Sequence, residues 1–536
     1  MRYVDYGKEF NLEICFSAHP ADILALFDAG LAIPDYPLVM QAYPMALIRR
    51  SGILVLLLVA ISATPVQADT LLLPDDLALR SDIQLLSDAG LLSQPLTGWP
   101  LSAHALKEEM QTVNVPAQYR SHIRAAWYRV MNRLQAKPRY SLRLFAIDDP
   151  VAMRRYSDTP RGSGARATYH MHGKSLSLRL SATLQERTSD RRSARADGSY
   201  AGFRLGKWQL SAGQIPRWWG PSYESSLILS TNARPVPAVA LDTIKPIRFR
   251  SRWLSWLGGM NWSLFAGKLE GGRFVADANL LGARLSLRPT HKLEIGFSRT
   301  AQWGGEGRPE DLDSFINLIL GRDNRGGAGI TLDNEPGNQL GGVDLRWLSP
   351  LGDAPYALYS QFIGEDEAGG LPSRLIGLAG GEYWGGFRGG SFRIYGEVAN
   401  TTIEFYKSMS RDNLAYEHGI YQDGYRYRGR AIGHAMDNDG LMLSLGTLWN
   451  TTGRTWEGLI RRVDVNTDGA SPGNRHTVSP TGQDRWELWL ASGMPAVAGV
   501  LQLGLGVQYV NPTDTATKID LSVYASWERT WGWGAQ

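Results

Sequence analysis

From Tyr140 onward the chain alternates apolar and polar residues with a period of two. In "SLSLRLSATL" Leu176, Leu178, Leu180, Ala182 and Leu184 fall on one face, with Ser175, Ser177, Arg179, Ser181 and Thr183 on the other. "VLQLGLGVQYV" sets Leu501, Leu503, Leu505, Val507 and Tyr509 against Gln502, Gly504, Gly506 and Gln508, and "IDLSVYASW" repeats the pattern from Ile519 to Trp527. Trp262-Leu264-Ala266, Ala283-Leu285-Leu287, Leu293-Ile295-Phe297 and Trp486-Leu488-Leu490 behave alike. Successive side chains of a strand point to opposite faces, so each run predicts a strand with one apolar and one polar face. In a soluble sandwich the apolar face turns inward; in a membrane barrel it faces lipid and the polar face lines the lumen.

Connection lengths favour the barrel. Leu287 and Leu293 are joined across the tight "RPTHK", whereas 304–341, 364–380, 406–440 and 464–484 read as long, polar, Gly-rich loops. Short turns at one end and long loops at the other are the outer-membrane pattern. About 22 residues per strand with its connection gives about 18 strands over residues 140–533. The last strand, "YASWERTWGWGAQ", is aromatic-rich, though its tail beyond Trp533 departs from an ideal barrel ending.

Residues 75–136 have the helical period instead. Leu79, Ile83, Leu86 and Ala89 share a face, with Gly90 placed to cap the C-terminus; Ala103, Leu106, Met110 and Val113 form a second stripe. Pro116 opens a third segment with Ile123, Trp127, Val130 and Leu134 on one side. The prediction is a small bundle of three helices that acts as a capping subdomain.

Further upstream, "MALIRRSGILVLLLVAISATPVQADT" at 45–70 is a complete secretory signal: Arg49 and Arg50, an apolar run Ile53–Ala63, Pro65, and the small-x-small site Val66-Gln67-Ala68. The run falls short of the roughly 20 residues that span a bilayer. The expected organisation is 1–44 as a mis-assigned upstream leader with Met45 as the start, 45–68 as the cleaved signal, 69–138 as the helical bundle and 139–536 as the barrel. The one cysteine, Cys15, then lies in the leader, and the exported chain has neither disulfides nor thiol chemistry.

Composition adds to this picture. Gly (59), Trp (18) and Tyr (22) are abundant in a chain whose mean hydropathy is only −0.23, as alternating barrel strands require. The whole chain carries +4; residues 1–44 contribute −4 and the signal +2, which leaves +6 on the exported part. That charge is scattered, not gathered into the basic stripe of a nucleic-acid binder.

Enzyme motifs are absent or fail. "HGKS" at 172–175 resembles the end of a P-loop, but Thr168 stands where its first Gly belongs and a strand follows instead of a helix, so it reads as a turn. There is no HExxH and no GxSxG. His434 near Asp437 is a histidine–carboxylate pair with no identifiable nucleophile, and reads as a loop histidine in a hydrogen-bond network. Asp464, Asn466, Asp468 and Gly469 match the first half of an EF-hand loop, but Arg475 stands where the bidentate Glu belongs; a turn-rich surface loop explains the match equally well, calcium in loop 464–475 stays an open alternative, and the expectation is no metal and no other cofactor.

Two segments are denser than strands or loops require. In "QIPRWWGPSYESSLILSTNARPVPAVAL" (214–241), Arg217, Trp218 and Trp219 precede Gly220-Pro221, and Asn232 and Arg234 follow. In "YQDGYRYRGRAIGHAMDNDG" (421–440), Arg426, Tyr427, Arg428 and Arg430 alternate cation and aromatic ahead of His434. Flat aromatics can stack a sugar while guanidinium forks hold hydroxyls or carboxylates. Strand alternation would put the arginines on one face. Interfacial girdles and lumen ion pairs are the structural alternative.

These segments, "QIPRWWGPSYESSLILSTNARPVPAVAL" and "YRYRGRAIGHAMDNDG", resemble signature stretches of the capsule assembly Wzi family, and the order of signal, short helical bundle and strand-rich region is similar over residues 69–536. The resemblance implies an all-β outer-membrane barrel of about 18 antiparallel strands with a helical bundle at its periplasmic end. It implies a lectin-like, non-enzymatic protein that binds capsular or exopolysaccharide and helps attach it to the cell surface, with outer-membrane lipid around it and no cofactor; a monomer is the expectation, which the sequence itself does not fix. Arg217, Trp218, Trp219, Asn232, Arg234, Arg426, Tyr427, Arg428, Arg430 and His434 lie in the matching stretches and are the candidate glycan ligands. An open porin or saccharide channel is the competing expectation.

Overall fold

The computed structural model describes residues 71–532 apart from 114–118, 137–138, 149–151, 158, 160–161, 174, 187–193, 321–336, 369–370 and 470–474. All described residues belong to one compact unit within Pro65–Gln536. The expected leader and signal, and the Pro116 helix start, lie outside the described residues.

Eighteen antiparallel strands close into one barrel. In chain order they are β1 Tyr140–Ile147, β2 Gly164–His172, β3 Leu176–Gln185, β4 (Ala194–Arg195 continued by Tyr200–Leu205), β5 Trp208–Gly213 and β6 Ala238–Thr243. Next come β7 Gly259–Lys268, β8 Asn279–Thr290, β9 Leu293–Trp303, β10 Gly337–Leu348, β11 Tyr356–Ala368 and β12 Leu371–Phe387. The last six are β13 Gly390–Asn400, β14 Leu441–Asn450, β15 Thr455–Val465, β16 Gln483–Ala496, β17 Gly499–Pro512 and β18 Lys518–Trp531. Both pieces of β4 pair with β3, so they count as one interrupted strand. The seam closes where β18 pairs with β1, Tyr524 opposite Ile147 through Trp531 opposite Tyr140.

The polarity of the wall is inverted relative to a soluble protein. Along β3, Leu176, Leu180 and Leu184 are 45, 50 and 64% exposed, while Ser177, Ser181 and Thr183 between them are buried. Along β18, Ile519, Leu521 and Val523 are exposed, and Ser522, Tyr524 and Ser526 are buried. The apolar faces thus form an outer band and the polar faces line a filled interior, the arrangement that lets every backbone group pair within a bilayer.

Turns are tight at one end: 206–207, 291–292, 388–389 and 497–498. The opposite end carries, among the described residues, 214–237, 304–320, 401–440, 466–469 and 475–482. Residues 364–380 differ from the expected loop, because β11 and β12 run on together as a projecting hairpin paired to Ala368–Leu371. Gly-rich composition concealed these strands; glycine dilutes the apolar alternation without forbidding an extended backbone. Residues 304–341 contain a short helix, Leu312–Ile319, and the start of β10.

Three helices occupy the short-turn end of the lumen: α1 Leu77–Asp88, α2 Ala103–Thr112 and α3 Ser121–Gln135. Asp76 caps α1 by accepting the Leu79 amide at 2.9 Å, and Ser102 caps α2 through the Ala105 amide at 3.0 Å. Gly90, at φ 76°, takes the left-handed turn that stops α1. The predicted stripes pack together: Ile83, Leu86, Leu106, Met110, Val130 and Leu134 are all buried in one cluster.

Charged pairs dock this bundle to the wall. Arg346 on β10 holds Asp88 through both terminal nitrogens, at 2.7 and 3.0 Å, and also reaches Glu382 on β12. Arg393 on β13 pairs with Glu382 and lies 3.6 Å from Asp88. Arg129 on α3 pairs with Asp82 on α1, which accepts from Asn450 on β14 at 2.8 Å. Asp88 ends its helix, where a negative charge meets an unfavourable dipole; the two wall guanidiniums outweigh that term.

Candidate functional site

The dense segment 214–237 runs from the long-loop end into the lumen. Its Trp218-Trp219 pair forms a two-residue ladder with Gly98-Trp99. The Tyr223 hydroxyl donates to Glu382 at 2.6 Å, and the Leu227 amide donates to Gln361 at 2.7 Å. The second dense segment lies over it. Tyr425 donates through its hydroxyl to the Ile228 carbonyl at 2.9 Å, and Tyr416, from the loop just ahead of the segment, donates to the Leu227 carbonyl at 2.6 Å. Bundle, first segment and second segment therefore fill the lumen along its axis, and the two stretches far apart in sequence form one internal plug.

This placement sorts the ten candidate residues. Trp218 and Trp219 are 0 and 1% exposed, edge-on to Tyr156 at 5.1 Å and tilted against Phe265 at 5.5 Å. No ring face is left for a sugar to stack on. Asn232, also buried, donates to the Ala431 carbonyl at 3.1 Å and ties the segments together. Arg426 is buried and forks onto Asp437 while reaching Glu417 at 2.6 Å. Burial alone would raise the Asp437 carboxyl, but the Arg426 charge wins and holds it well below the usual carboxylate range. Tyr427 is buried, and Arg428 stacks over its ring at 5.3 Å.

The expectation that Arg426, Arg428 and Arg430 share one strand face is overturned. Arg426-Tyr427 and Arg430-Ala431 pair as a miniature hairpin, turned by Arg428-Gly429 at φ 49° and 74°. A residue-plus-Gly pair with positive φ at both positions is what a tight two-residue hairpin turn demands. The turn sends Arg426 and Arg430 to different surroundings.

His434 is buried, and its Nδ1 accepts the Met436 amide at 3.4 Å. Burial, with Arg461 nearby, pushes its pKa down to about 3, so the ring is neutral. Its backbone carbonyl, not its ring, meets Asp437, whose carboxylate is engaged by Arg426. The pair therefore lacks the base–orienter contact that nucleophilic catalysis needs.

Arg217 and Arg234 stand apart from this packing. Both line a cavity of about 120 Å³ between the plug and the wall, together with Arg143 on β1, Arg154, Arg166 on β2, Arg179 on β3 and Arg195 on β4. Among the described lining residues seven guanidiniums face two carboxylates, Asp75 and Asp197. Arg234 forks onto Asp197, and Arg217 reaches Asp242 at 3.3 Å. One Arg217 terminal nitrogen and the Arg179 Nε are buried without a hydrogen-bond partner. Arg430 adjoins this field: burial and then the Arg154 charge bring its pKa down to about 10. A larger void of about 380 Å³ shares Arg143, Arg166 and Arg179 and continues toward His104 and Lys107 of α2. Guanidiniums gathered in this way, Arg143 and Arg217 buried and the other five half-buried, suit an anionic group. Sequence reasoning missed Arg143, Arg154, Arg166 and Arg195 here; Arg179 already stood on a predicted polar face, and the same alternation read along β1 and β2 was the available signal.

The fold and its contents define a class: an outer-membrane β-barrel whose passage is filled by its own N-terminal helices and in-folded loops. The capsule assembly protein Wzi family model matches residues 146–531, and the chain belongs to that family. A curated relative from Klebsiella pneumoniae, described as an uncharacterized 55.8 kDa protein in the cps region, is 32% identical over 297 residues, which span 54% of this chain and 58% of that relative's length. The solved barrel of Escherichia coli Wzi, described as a carbohydrate-binding outer-membrane protein involved in group 1 capsule assembly, is 27% identical with a TM-score of 0.75, covering 86% of this chain and 99% of that one. The expected family, the 18-stranded barrel with N-terminal helices and the outer-membrane location all stand.

Proposed function

We propose that this protein is a lectin-like surface barrel that binds an anionic capsular polysaccharide and helps to hold it on the cell. The helical bundle then faces the periplasm and the long loops face the polymer. The observation that carries this reading is the arginine-lined cavity beside a filled lumen. A cavity of about 120 Å³ is sized for a carboxylate-bearing substituent and not for a whole chain. Arg179, Arg217 and their neighbours would hold it by charge-assisted hydrogen bonds. Trp218, Trp219, Asn232, Arg426, Tyr427 and His434 would build the plug that shapes the cavity, with Arg234 and Arg430 at its margin. The family kinship and the Escherichia coli relative's carbohydrate binding support the assignment, and the filled lumen disfavours an open porin.

The test is the partition of capsular polymer between cell pellet and medium with the gene deleted and then restored. Release of polymer at unchanged total, reversed by the wild-type chain but not by an Arg179→Gln/Arg217→Gln chain of equal surface level, is the expected result. An unmoved partition would overturn the attachment role.

A further inference from the structure

We propose that Asp439, Asp468, Asn413 and Asn466 form a divalent-cation site, suited to calcium, that pins loop 401–440 to loop 466–482 at the mouth of the barrel. The Asp439 side chain is wholly buried. One carboxylate oxygen accepts the Asn413 amide at 2.6 Å, and the other has no partner. Burial, and then the acidic neighbours Asp468, Asp412 and Glu417, lift its pKa to about 7 against the Asn413 hydrogen bond. A buried carboxylate among like charges is costly unless a cation answers it.

Partners of the right kind surround it. The Asp439 carbonyl accepts the Thr467 amide at 2.9 Å, which sets Asn466–Asp468 directly against it. Asn466 is also wholly buried; its Nδ2 donates to the Ser479 carbonyl at 3.4 Å, and its Oδ1 has no partner. Asn413 donates through Nδ2 to the Asp468 carboxylate, and again its Oδ1 is unpartnered. Asp439, Asn413 and Asn466 thus each keep one buried side-chain oxygen without a donor, and their contacts with one another and with Asp468 and Thr467 join these residues to a second carboxylate. Among the described residues no three His, Cys, Asp or Glu side chains gather as a metal centre, so the amides are essential to this set. An all-oxygen mixture of carboxylate and amide ligands on loops matches calcium, which accepts irregular coordination completed by water, better than magnesium or zinc. Asp468 is exposed and gives an ion its way in. The site is not an EF-hand: Asp464 still lies within β15 and pairs with Arg462 at 3.3 Å.

The test uses the full chain in detergent after chelator treatment, titrated calorimetrically with calcium chloride and, separately, magnesium chloride. One saturable calcium site is expected, weaker for magnesium, with a calcium-dependent rise in Tm and protection of loop 401–440 from protease. Asp439→Asn and Asp468→Asn should each weaken calcium binding at least tenfold, and Asp464→Asn should not. In chelator, Asp439→Asn should unfold no more readily than wild type, because it removes an uncompensated charge, so lost binding cannot be ascribed to misfolding. Absence of saturable calcium binding by the wild-type chain, or full affinity retained by both variants, would overturn the proposal.

Discussion

Asp88→Ala isolates what holds the bundle in the lumen. The Asp88 side chain is 2% exposed and accepts two hydrogen bonds from Arg346, a third from Gln84 at 3.0 Å, and the longer contact with Arg393. Arg346, Arg393, Asp88 and Glu382 together are neutral: two guanidiniums and two carboxylates. Removing Asp88 leaves one uncompensated positive charge where water is excluded. Breaking such a buried pair costs about 3–5 kcal/mol. The wall is held by its own ladders, so the loss falls on the docking of α1. At about 1.4 kcal/mol per factor of ten, amides of Leu79–Leu86 should exchange with deuterium roughly 10²- to 10³-fold faster, with those of β14 to β18 unchanged. Current events in planar bilayers should rise in parallel as the lumen opens. Replacing Arg346 by Met in the same chain should recover much of the protection by restoring charge balance. Protection of α1 within threefold of wild type in Asp88→Ala would refute the reasoning.

The remaining expectations concern the plug and cavity. Trp218→Ala should lose about 3–5 kcal/mol in urea unfolding followed by fluorescence, because it vacates a fully buried indole site. His434 sits neutral with a pKa near 3, against an unfolded value of about 6.5, so stability should fall as pH drops below about 6.5 and continue falling toward 3. Each unit costs at most about 1.4 kcal/mol, and His434→Asn should flatten that slope in acid unfolding curves. Arg179→Gln and Arg217→Gln should weaken binding of uronate-bearing oligosaccharide in calorimetry while leaving a neutral oligosaccharide unaffected, and the wild-type affinity should drop with salt.

The wall was legible because a barrel strand obeys one local rule: Leu180 and Ser181 must face opposite ways whatever lies across the sheet. The helices were legible for the same reason, Ile83 and Leu86 falling on one stripe. The interior was not. Trp218 and Arg426 carry the composition of a binding surface, and only the return of a loop into the lumen turns them into packing. Arg217 kept a place at a cavity because its neighbours Arg143, Arg166 and Arg179 arrive from three separate strands, a juxtaposition no spacing along the chain encodes. The hairpin at Arg428-Gly429 was encoded locally, but cation–aromatic alternation hid it behind a strand pattern.

The seam between β18 and β1 ties the two ends of the wall to each other. The first wall strand finds one of its partners only in the last, Tyr140 against Trp531. Without that pairing the sheet has two raw edges and an interior open from the side. The helices precede every strand in the chain, yet they are enclosed only when the last strand is in place. A chain cut short before Lys518 does not make a slightly smaller barrel: it leaves both edges unpaired and the bundle exposed.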